Sequence, residues 1–169
     1  VRVFGETLPP GKPRAAIAAG VGMVHQHFTL AGNLTVLENV MLVPLNQKGE
    51  RFWWNWIQPR AVAEEERALR ARAEEIIDFC SLTQVSGDPA RTLSGGQRKL
   101  LELARVLMAD PKIILLDEPA AGVNPTLMRV LVDKITALNA RGYTFLIIEH
   151  DMDVVMSICD PIMVMAQGR

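Results

Sequence analysis

Apolar residues recur at helical spacing over one long stretch of the chain, from about residue 60 to residue 80. One face of this stretch is apolar throughout, which predicts an amphipathic helix. Its apolar positions are Leu69, Ala73, Ile76, Ile77 and Cys80. A shorter helix is predicted to begin after Thr35, because Thr35 and Glu38 have the spacing of a capping box.

The second half of the chain alternates between short apolar runs and amphipathic stretches. The apolar runs predict strands at 112–116, 143–148 and 161–165, and a similar run predicts a strand at 21–24. Helices are predicted at 94–109, 124–142 and 151–159. Apolar strands that alternate with helices are typical of a parallel sheet buried on both faces. The sequence therefore predicts an α/β fold.

Composition narrows the classes of protein to which the chain can belong. Of the 169 residues, 49% are hydrophobic, so a sizeable core can be buried, and the net charge is −1. This balance argues against nucleic-acid binding through a basic surface. No apolar run approaches the ~20 residues that span a bilayer. The two cysteines lie far apart without metal-ligand spacing, which indicates a reducing compartment and no disulfide framework.

Two adjacent carboxylates, Asp117 and Glu118, follow the apolar run at 112–116. In open α/β sheets, ligands bind beyond the carboxyl ends of the strands. One carboxylate there can hold Mg²⁺ through water, and the next can deprotonate a water molecule aimed at a phosphate. The alternative is that both residues only cap or turn the chain after a strand.

A glycine-rich helix start is formed by Ser94, Gly95, Gly96 and Gln97. The glycines allow a phosphate to approach the backbone closely, and a helix N-terminus offers free amides and a partial positive charge. These residues therefore indicate a phosphate-binding turn. An ordinary serine N-cap followed by a glycine loop would explain the same sequence.

Two further polar side chains follow predicted strands. His150 comes just after the strand at 143–148, where an imidazole can donate to a phosphate oxygen or to its attacking water. Gln26 comes just after the strand at 21–24, where an amide can touch a metal ion or water. A structural histidine and a polar loop residue are the respective alternatives.

The order and spacing of these motifs resemble the ABC-type ATPases over nearly the whole chain. By this resemblance, Gln26 is the Q-loop glutamine, which would contact Mg²⁺ through water. Asp117 is the Walker B aspartate and would also hold Mg²⁺, Glu118 is the catalytic carboxylate, and His150 is the switch histidine. The resemblance implies ATP and Mg²⁺ as cofactors.

The same resemblance makes Ser94 to Gln97 the nucleotide-contacting signature of the family. Asn124 occupies the D-loop, where many members carry aspartate, and this departure leaves its cross-dimer role open. The implied fold is that of a P-loop NTPase, a RecA-like parallel sheet core with an inserted α-helical subdomain. Residues 1–30 and 93–169 would form the core, and residues 31–92 the helical subdomain.

Two stretches narrow the resemblance to the ATPases of branched-chain amino-acid importers, namely residues 116–125 and 147–152. The stretch at 22–28 is instead similar to the ATPases of sugar and nucleoside importers, so that class stays an alternative. In such systems the permease and the binding protein select the solute. The ATPase does not contact it.

The resemblance also implies partners and a location. The chain would form a head-to-tail ATPase dimer, with a second copy or with a paralogue, and would contact transmembrane permease subunits. It would lie peripherally at the cytoplasmic face of the cell membrane and bind no nucleic acid. Trp53, Trp54 and Trp56 would either face the permease, since aromatic residues are enriched at interfaces, or pack locally in an extended loop.

One motif of the family does not occur in the sequence, the phosphate-binding loop G-x-x-x-x-G-K-[ST]. Gly11 and Lys12 are followed by Pro13, which lacks the metal-binding hydroxyl and removes an amide. We expect the loop to lie upstream of Val1 and both ends of the chain to be cut. The 169 residues alone are therefore expected to lack ATPase activity, and a non-catalytic remnant is the alternative function.

Overall fold

The computed structural model describes residues 2–24, 30–43 and 59–165. A short antiparallel hairpin comes first, with strands β1 (Arg2–Val3) and β2 (Glu6–Thr7). Within the described residues the main sheet is parallel and has three strands, β3 (Val21–Val24), β4 (Ile113–Asp117) and β5 (Thr144–Ile148), with β4 in the centre. The parallel α/β sheet expected from the sequence is confirmed.

Helices precede and connect the strands. In chain order they are α1 (Pro13–Ala18), α2 (Val36–Met41), α3 (Pro59–Phe79), α4 (Gly95–Met108), α5 (Pro125–Ala140) and α6 (Met152–Ile158). Two single 3₁₀ turns, Thr83–Val85 and Ala90–Thr92, lie between α3 and α4. Within the described ranges, no helix is both long enough and apolar enough to cross a bilayer.

The starts of the helices follow from local sequence. At α2, the Thr35 hydroxyl accepts a hydrogen bond from the Glu38 amide, and the Glu38 carboxylate accepts one from the Thr35 amide. This reciprocal pair is the predicted capping box, which satisfies two amides that a helix start leaves unpaired. The start of α5 also follows prediction, with Asn124 as N-cap and Pro125 in the first turn.

The hydrophobic core is centred on α4, which contacts α2, α3, α5 and β3. Leu100, Leu101, Leu103 and Ala104 of this helix are all at most 2% exposed. The long helix predicted at 60–80 is confirmed as α3, and its residues Ala73 and Ile77 are buried against this core, as is Cys80 just beyond it. Leu69 and Ile76 pack against the same core while partly exposed.

The strand predicted at 161–165 is wrong. This segment has no regular secondary structure, and Met163, Val164 and Met165 are 85%, 83% and 74% exposed. A strand is stabilised by hydrogen bonds to a neighbouring strand. In the part of the chain that the structure describes, no strand pairs with these residues.

The expectation that the sheet is buried on both faces is also wrong. Ile114 and Leu116 point to the same face and are buried, at 0% and 2% exposure. Met23 and Leu146 are in register with Leu115 on the opposite face, and they are 42% and 56% exposed. Since the described elements cover that face only in part, apolar runs in β3 and β5 do not indicate burial on both sides.

Candidate functional site

The carboxyl end of β4 carries the two predicted carboxylates. Asp117 is the last residue of the strand and is in register with Ile148 of β5, and Glu118 is the first residue beyond it. Glu118 has φ +46°, a left-handed conformation that costs a non-glycine residue about 1–2 kcal/mol. Its amide donates to the Ile148 carbonyl at 2.9 Å, and its own carbonyl accepts from the Ala121 amide at 3.1 Å. These two bonds hold the strained turn in place.

The predicted histidine follows the neighbouring strand. The Nδ1 atom of His150 lies 3.8 Å from Oε1 of Glu118 and 3.9 Å from Oε2 of Glu149. Both separations are too long for hydrogen bonds. The His150 side chain is 76% exposed, whereas that of Glu118 is 32% exposed. The imidazole therefore stands at the open side of the carboxylates, where it can reach a bound group.

Glu149 is held quite differently from its neighbours, because its side chain is 0% exposed. One carboxylate oxygen accepts a hydrogen bond from the Ala120 amide at 2.7 Å. The other accepts from the amides of His150 at 3.0 Å and Asp151 at 3.3 Å. This one carboxylate therefore joins the turn after β4 to the turn after β5.

The glycine-rich helix start forms a second capping box. The Ser94 hydroxyl accepts a hydrogen bond from the Gln97 amide at 3.3 Å, and the Gln97 side chain accepts one from the Ser94 amide at 2.9 Å. Both side chains are thus used to begin α4. The first turn of the helix retains the positive end of the helix dipole, which favours an anion.

Gly96 has a packing role that the sequence did not reveal. A Cβ atom at this position would lie 2.4 Å from Cδ1 of Leu127, so only glycine allows α4 to approach α5 this closely. Gly95 is exposed, and a Cβ there would lie 3.3 Å from the Gly122 carbonyl oxygen. The predicted signature turn and the predicted D-loop are therefore neighbours within one chain. Packing alone is enough to require glycine at 96.

The side chain of Asn124 is the N-cap of α5. Its Oδ1 accepts a hydrogen bond from the Leu127 amide at 2.9 Å, which caps α5. An aspartate would accept the same bond, because either side chain presents an oxygen there. The cap fixes where the segment after Glu118 enters α5.

The donor set at the end of β4 fits Mg²⁺. Among the residues that the structure describes, no three His, Cys, Asp or Glu side chains converge as a cage for a metal ion. Mg²⁺ does not need such a cage, because it keeps several waters and binds one or two carboxylates together with substrate phosphates. Asp117, half-buried at the sheet edge, is suited to hold it.

Residues 1–121 match the family model described as ABC transporter. This chain belongs to the ABC transporter family. The match includes the glycine-rich start of α4 and the carboxylates after β4. It explains why motifs that are individually unspecific occur here in one order.

Sequence similarity to individual curated proteins supports the same family assignment. The chain is 42% identical over 135 residues to the probable branched-chain amino acid transport ATP-binding protein LivG of Archaeoglobus fulgidus, which covers 80% of this chain and 51% of that protein. It is 35% identical over 172 residues to the methionine import ATP-binding protein MetN of Myxococcus xanthus, covering 100% of this chain and 48% of that protein. The chain thus spans about half the length of these curated relatives.

A solved structure confirms the fold. The ADP conformation of an ATP-binding cassette of an ABC transporter superposes with a TM-score of 0.72 at 33% identity. The match covers 93% of this chain and 61% of the other. The P-loop NTPase fold expected for an ABC ATPase is therefore confirmed.

The structure brings some of the predicted ABC ATPase residues together and leaves others undescribed. Asp117, Glu118 and His150 meet at the carboxyl edge of the sheet, beside the ends of β4 and β5. Gln26 and the three tryptophans Trp53, Trp54 and Trp56 lie outside the described residues. Val24, the last residue of β3, is in register with Leu116, so the chain leaves β3 at this same edge.

Glu149 is the residue of the candidate site that sequence reasoning missed. The available signal was a carboxylate directly after the apolar strand β5 and directly before His150. Such a carboxylate is usually solvated, and its complete burial depends on the amide of Ala120, far away in sequence. Periodicity and motif spacing do not report that contact.

Proposed function

We propose that the intact protein is the ATP-binding and ATP-hydrolysing subunit of an ABC importer, which powers the transport of a solute across the cytoplasmic membrane. One observation carries the proposal. Glu118 is fixed in a strained turn beside Asp117, with His150 3.8 Å away on the open side. Strained residues of this kind cluster at catalytic sites, where the surrounding structure holds them.

Each side chain at this edge has a distinct proposed role. Glu118 orients a water molecule and accepts its proton as that water attacks the γ-phosphate of ATP. His150 donates a hydrogen bond to the γ-phosphate or to the attacking water. Asp117 and Gln26 would hold Mg²⁺ through water, and the ion when bound neutralises phosphate charge.

The start of α4 supplies the second half of the proposed nucleotide site. In a head-to-tail dimer, Ser94, Gly95, Gly96 and Gln97 of one subunit would contact the ATP held by the other. The positive end of the α4 dipole supports this role. Gly95 lies close to the carbonyl oxygen of Gly122, and Asn124 follows Gly122 in the same turn. The dimer interface would therefore include Asn124.

We expect these residues alone to bind ATP weakly. The sequence contains no G-x-x-x-x-G-K-[ST] loop, whose amides and lysine grip the β- and γ-phosphates. We expect these 169 residues by themselves to show no measurable ATP hydrolysis. Purified protein of this length that hydrolyses ATP well above its Glu118→Gln variant would contradict this expectation.

Branched-chain amino acids are the proposed solute class. The similarity to LivG supports this class, while the similarity to MetN keeps methionine as a second candidate. The partners would be transmembrane permease subunits and a second ATPase chain, identical or paralogous, at the cytoplasmic face. Residues 31–92 would form the helical subdomain that faces the permease.

The experiment that tests the function uses the intact protein reconstituted in proteoliposomes with its permease and binding protein. We expect ATP hydrolysis to rise when leucine or isoleucine is supplied, and to stay at its basal rate with methionine or ribose. Stimulation by methionine alone would support the methionine alternative. No hydrolysis under any of these conditions would favour a non-catalytic role.

A further inference from the structure

The carboxylate of Glu149 accepts hydrogen bonds from the backbone of both the turn after β4 and the turn after β5. Burial of a charged carboxylate is costly unless hydrogen bonds compensate for the lost hydration. Here three backbone amides do so, from Ala120, His150 and Asp151. Two of these amides are local to Glu149, whereas Ala120 lies 29 positions earlier in the chain.

The hydrogen bond from the Ala120 amide to Glu149 holds the turn that contains Glu118. Ala120 belongs to the turn that Glu118 opens and that the bond from the Ala121 amide to the Glu118 carbonyl closes. Pro119, between them, is fully buried. The turn is therefore held at its start by Ile148 and at its middle by Glu149, both from the β5 side.

We propose that Glu149 is a positioning residue that sets the distance between Glu118 and His150. It does so by fixing the two turns to the two oxygens of one carboxylate. This inference rests on the proposed function, since it assigns a role in ATP hydrolysis. The side chain of Glu149 is fully buried, so it would act on ATP hydrolysis only through its neighbours.

Two substitutions separate this role from a general contribution to folding. Glu149→Asp keeps the charge and can still reach the local amides of His150 and Asp151, but it is one methylene too short to span to Ala120. Glu149→Gln keeps the length and places an NH₂ group against at least one amide donor. The matched control is Asp153→Asn, because Asp153 is an exposed carboxylate in the first turn of α6, close to Glu149 in sequence.

The first measurement is hydrogen–deuterium exchange on the intact protein. Its readout, the exchange rate of backbone amides, does not depend on ATPase activity. In Glu149→Asp and Glu149→Gln, peptides that cover residues 118–124 and 148–153 should both exchange faster than in the wild type. The core peptides of α4 should be unchanged, and Asp153→Asn should match the wild type throughout. Faster exchange in only one of the two segments would overturn the proposal.

The second measurement is a double-mutant cycle with His150→Ala in steady-state ATP hydrolysis. We expect Glu149→Asp to lower kcat by about 10–100-fold, the order of loss for a catalytic group displaced by about 1 Å, with little change in KM for ATP. Because Glu149 acts by placing His150 against Glu118, the Glu149→Asp/His150→Ala double variant should be no slower than His150→Ala alone. Losses that multiply, or a wild-type kcat in Glu149→Asp, would overturn the proposal.

The Glu118→Gln variant is measured in parallel, so that a failure of the proposed ATPase function can be distinguished from a failure of the positioning role of Glu149. Wild-type hydrolysis that Glu118→Gln abolishes supports the proposed function, whatever Glu149→Asp does. Under that condition, wild-type behaviour of both Glu149 variants removes the positioning role alone. No hydrolysis by the wild-type protein would remove the proposed function and this inference together.

Discussion

The imidazole Nδ1 of His150 lies 3.8 Å from Oε1 of Glu118, although the two residues come from different strands of the sheet. The strands β4 and β5 are hydrogen-bonded in register up to Asp117 and Ile148, which places the next residues of both strands side by side. The separation is slightly longer than a hydrogen bond. It leaves the imidazole able to turn toward a bound phosphate or its attacking water.

Replacement of His150 by alanine should therefore slow hydrolysis without weakening nucleotide binding. We expect a loss of about 100-fold in kcat, within the range for a positioned group that hydrogen-bonds in the transition state. Steady-state hydrolysis and equilibrium ATP binding of the intact protein provide the two readouts. His150→Gln, which keeps a donor, should recover part of the rate. A wild-type kcat in His150→Ala would exclude any role of this side chain.

The contact between Gly96 and Leu127 predicts a destabilising substitution at the start of α4. Gly96→Ala would place a Cβ 2.4 Å from Leu127, and overpacking of this kind costs about 1–3 kcal/mol of unfolding free energy. Urea denaturation of the intact protein measures the change. Gly87→Ala is the matched control, because nothing lies within 4 Å of a Cβ at that position.

A second substitution tests whether the clash with Leu127 causes the loss of stability in Gly96→Ala. Leu127→Ala should recover part of the loss when it is combined with Gly96→Ala, although the single Leu127→Ala change removes apolar contacts and is itself destabilising. Equal losses in Gly96→Ala and Gly87→Ala would show that the close approach of α4 to α5 is not what restricts this position.

Asn39 is a fully buried amide that should be sensitive to truncation. Its Oδ1 accepts from the Ala31 amide at 3.0 Å, and its Nδ2 lies within hydrogen-bond distance of three carbonyls, those of Ala31, Leu34 and Thr35. Asn39→Ala leaves these groups without their partner, and we expect a loss of about 2–4 kcal/mol. Chemical denaturation is the measurement. Asn33→Ala, at an exposed position with one side-chain bond to Arg91, should cost far less.

Burial of Cys80 predicts a pH dependence of stability. Desolvation raises the pKa of the Cys80 thiol from 9.0 to about 12, against a smaller opposing effect of the Lys134 charge. The folded state therefore keeps a proton that the unfolded state loses, so stability is fully present below about pH 9 and falls as pH rises from about 9 toward 12. Urea unfolding at several alkaline pH values measures this slope.

The control for this pH effect is Cys80→Ala. The variant should be less stable at neutral pH, because a cavity forms, but its stability should fall less steeply between pH 8 and pH 10 than that of the wild type. Slopes that coincide would mean that other groups account for the alkaline loss.

Local patterns were sufficient to predict the elements that begin and end by local chemistry. The capping box at Thr35, the helix that begins after Ser94 and the inner face of α3 formed as predicted. Errors arose where the outcome depends on a distant neighbour. Residues 161–165 have strand-like side chains, but no strand of the described chain pairs with them. The bond from Ala120 to Glu149 and the close approach of Gly96 to Leu127 are likewise tertiary contacts without a local pattern.

In the candidate site, too, the sequence predicted the local features but not those that depend on tertiary contacts. The sequence placed Asp117, Glu118 and His150 at strand ends, and parallel pairing of β4 and β5 then brings them to one edge. Their roles stay predictions, as do the division into residues 1–30, 31–92 and 93–169 and the roles of Gln26 and Asn124. The left-handed conformation of Glu118 could not be expected from its residue type, since non-glycine residues seldom adopt it.

If Glu118 is the general base of ATP hydrolysis, its replacement by glutamine should slow the chemical step, which single-turnover hydrolysis by the intact protein measures. Wild-type protein and Glu118→Gln should bind ATP with similar affinity, because the amide keeps the size of the carboxylate. The Gln variant should hydrolyse the bound ATP more slowly by a factor on the order of 10²–10⁴, the contribution typical of a general base. Equal single-turnover rates in the two proteins would exclude Glu118 as the general base.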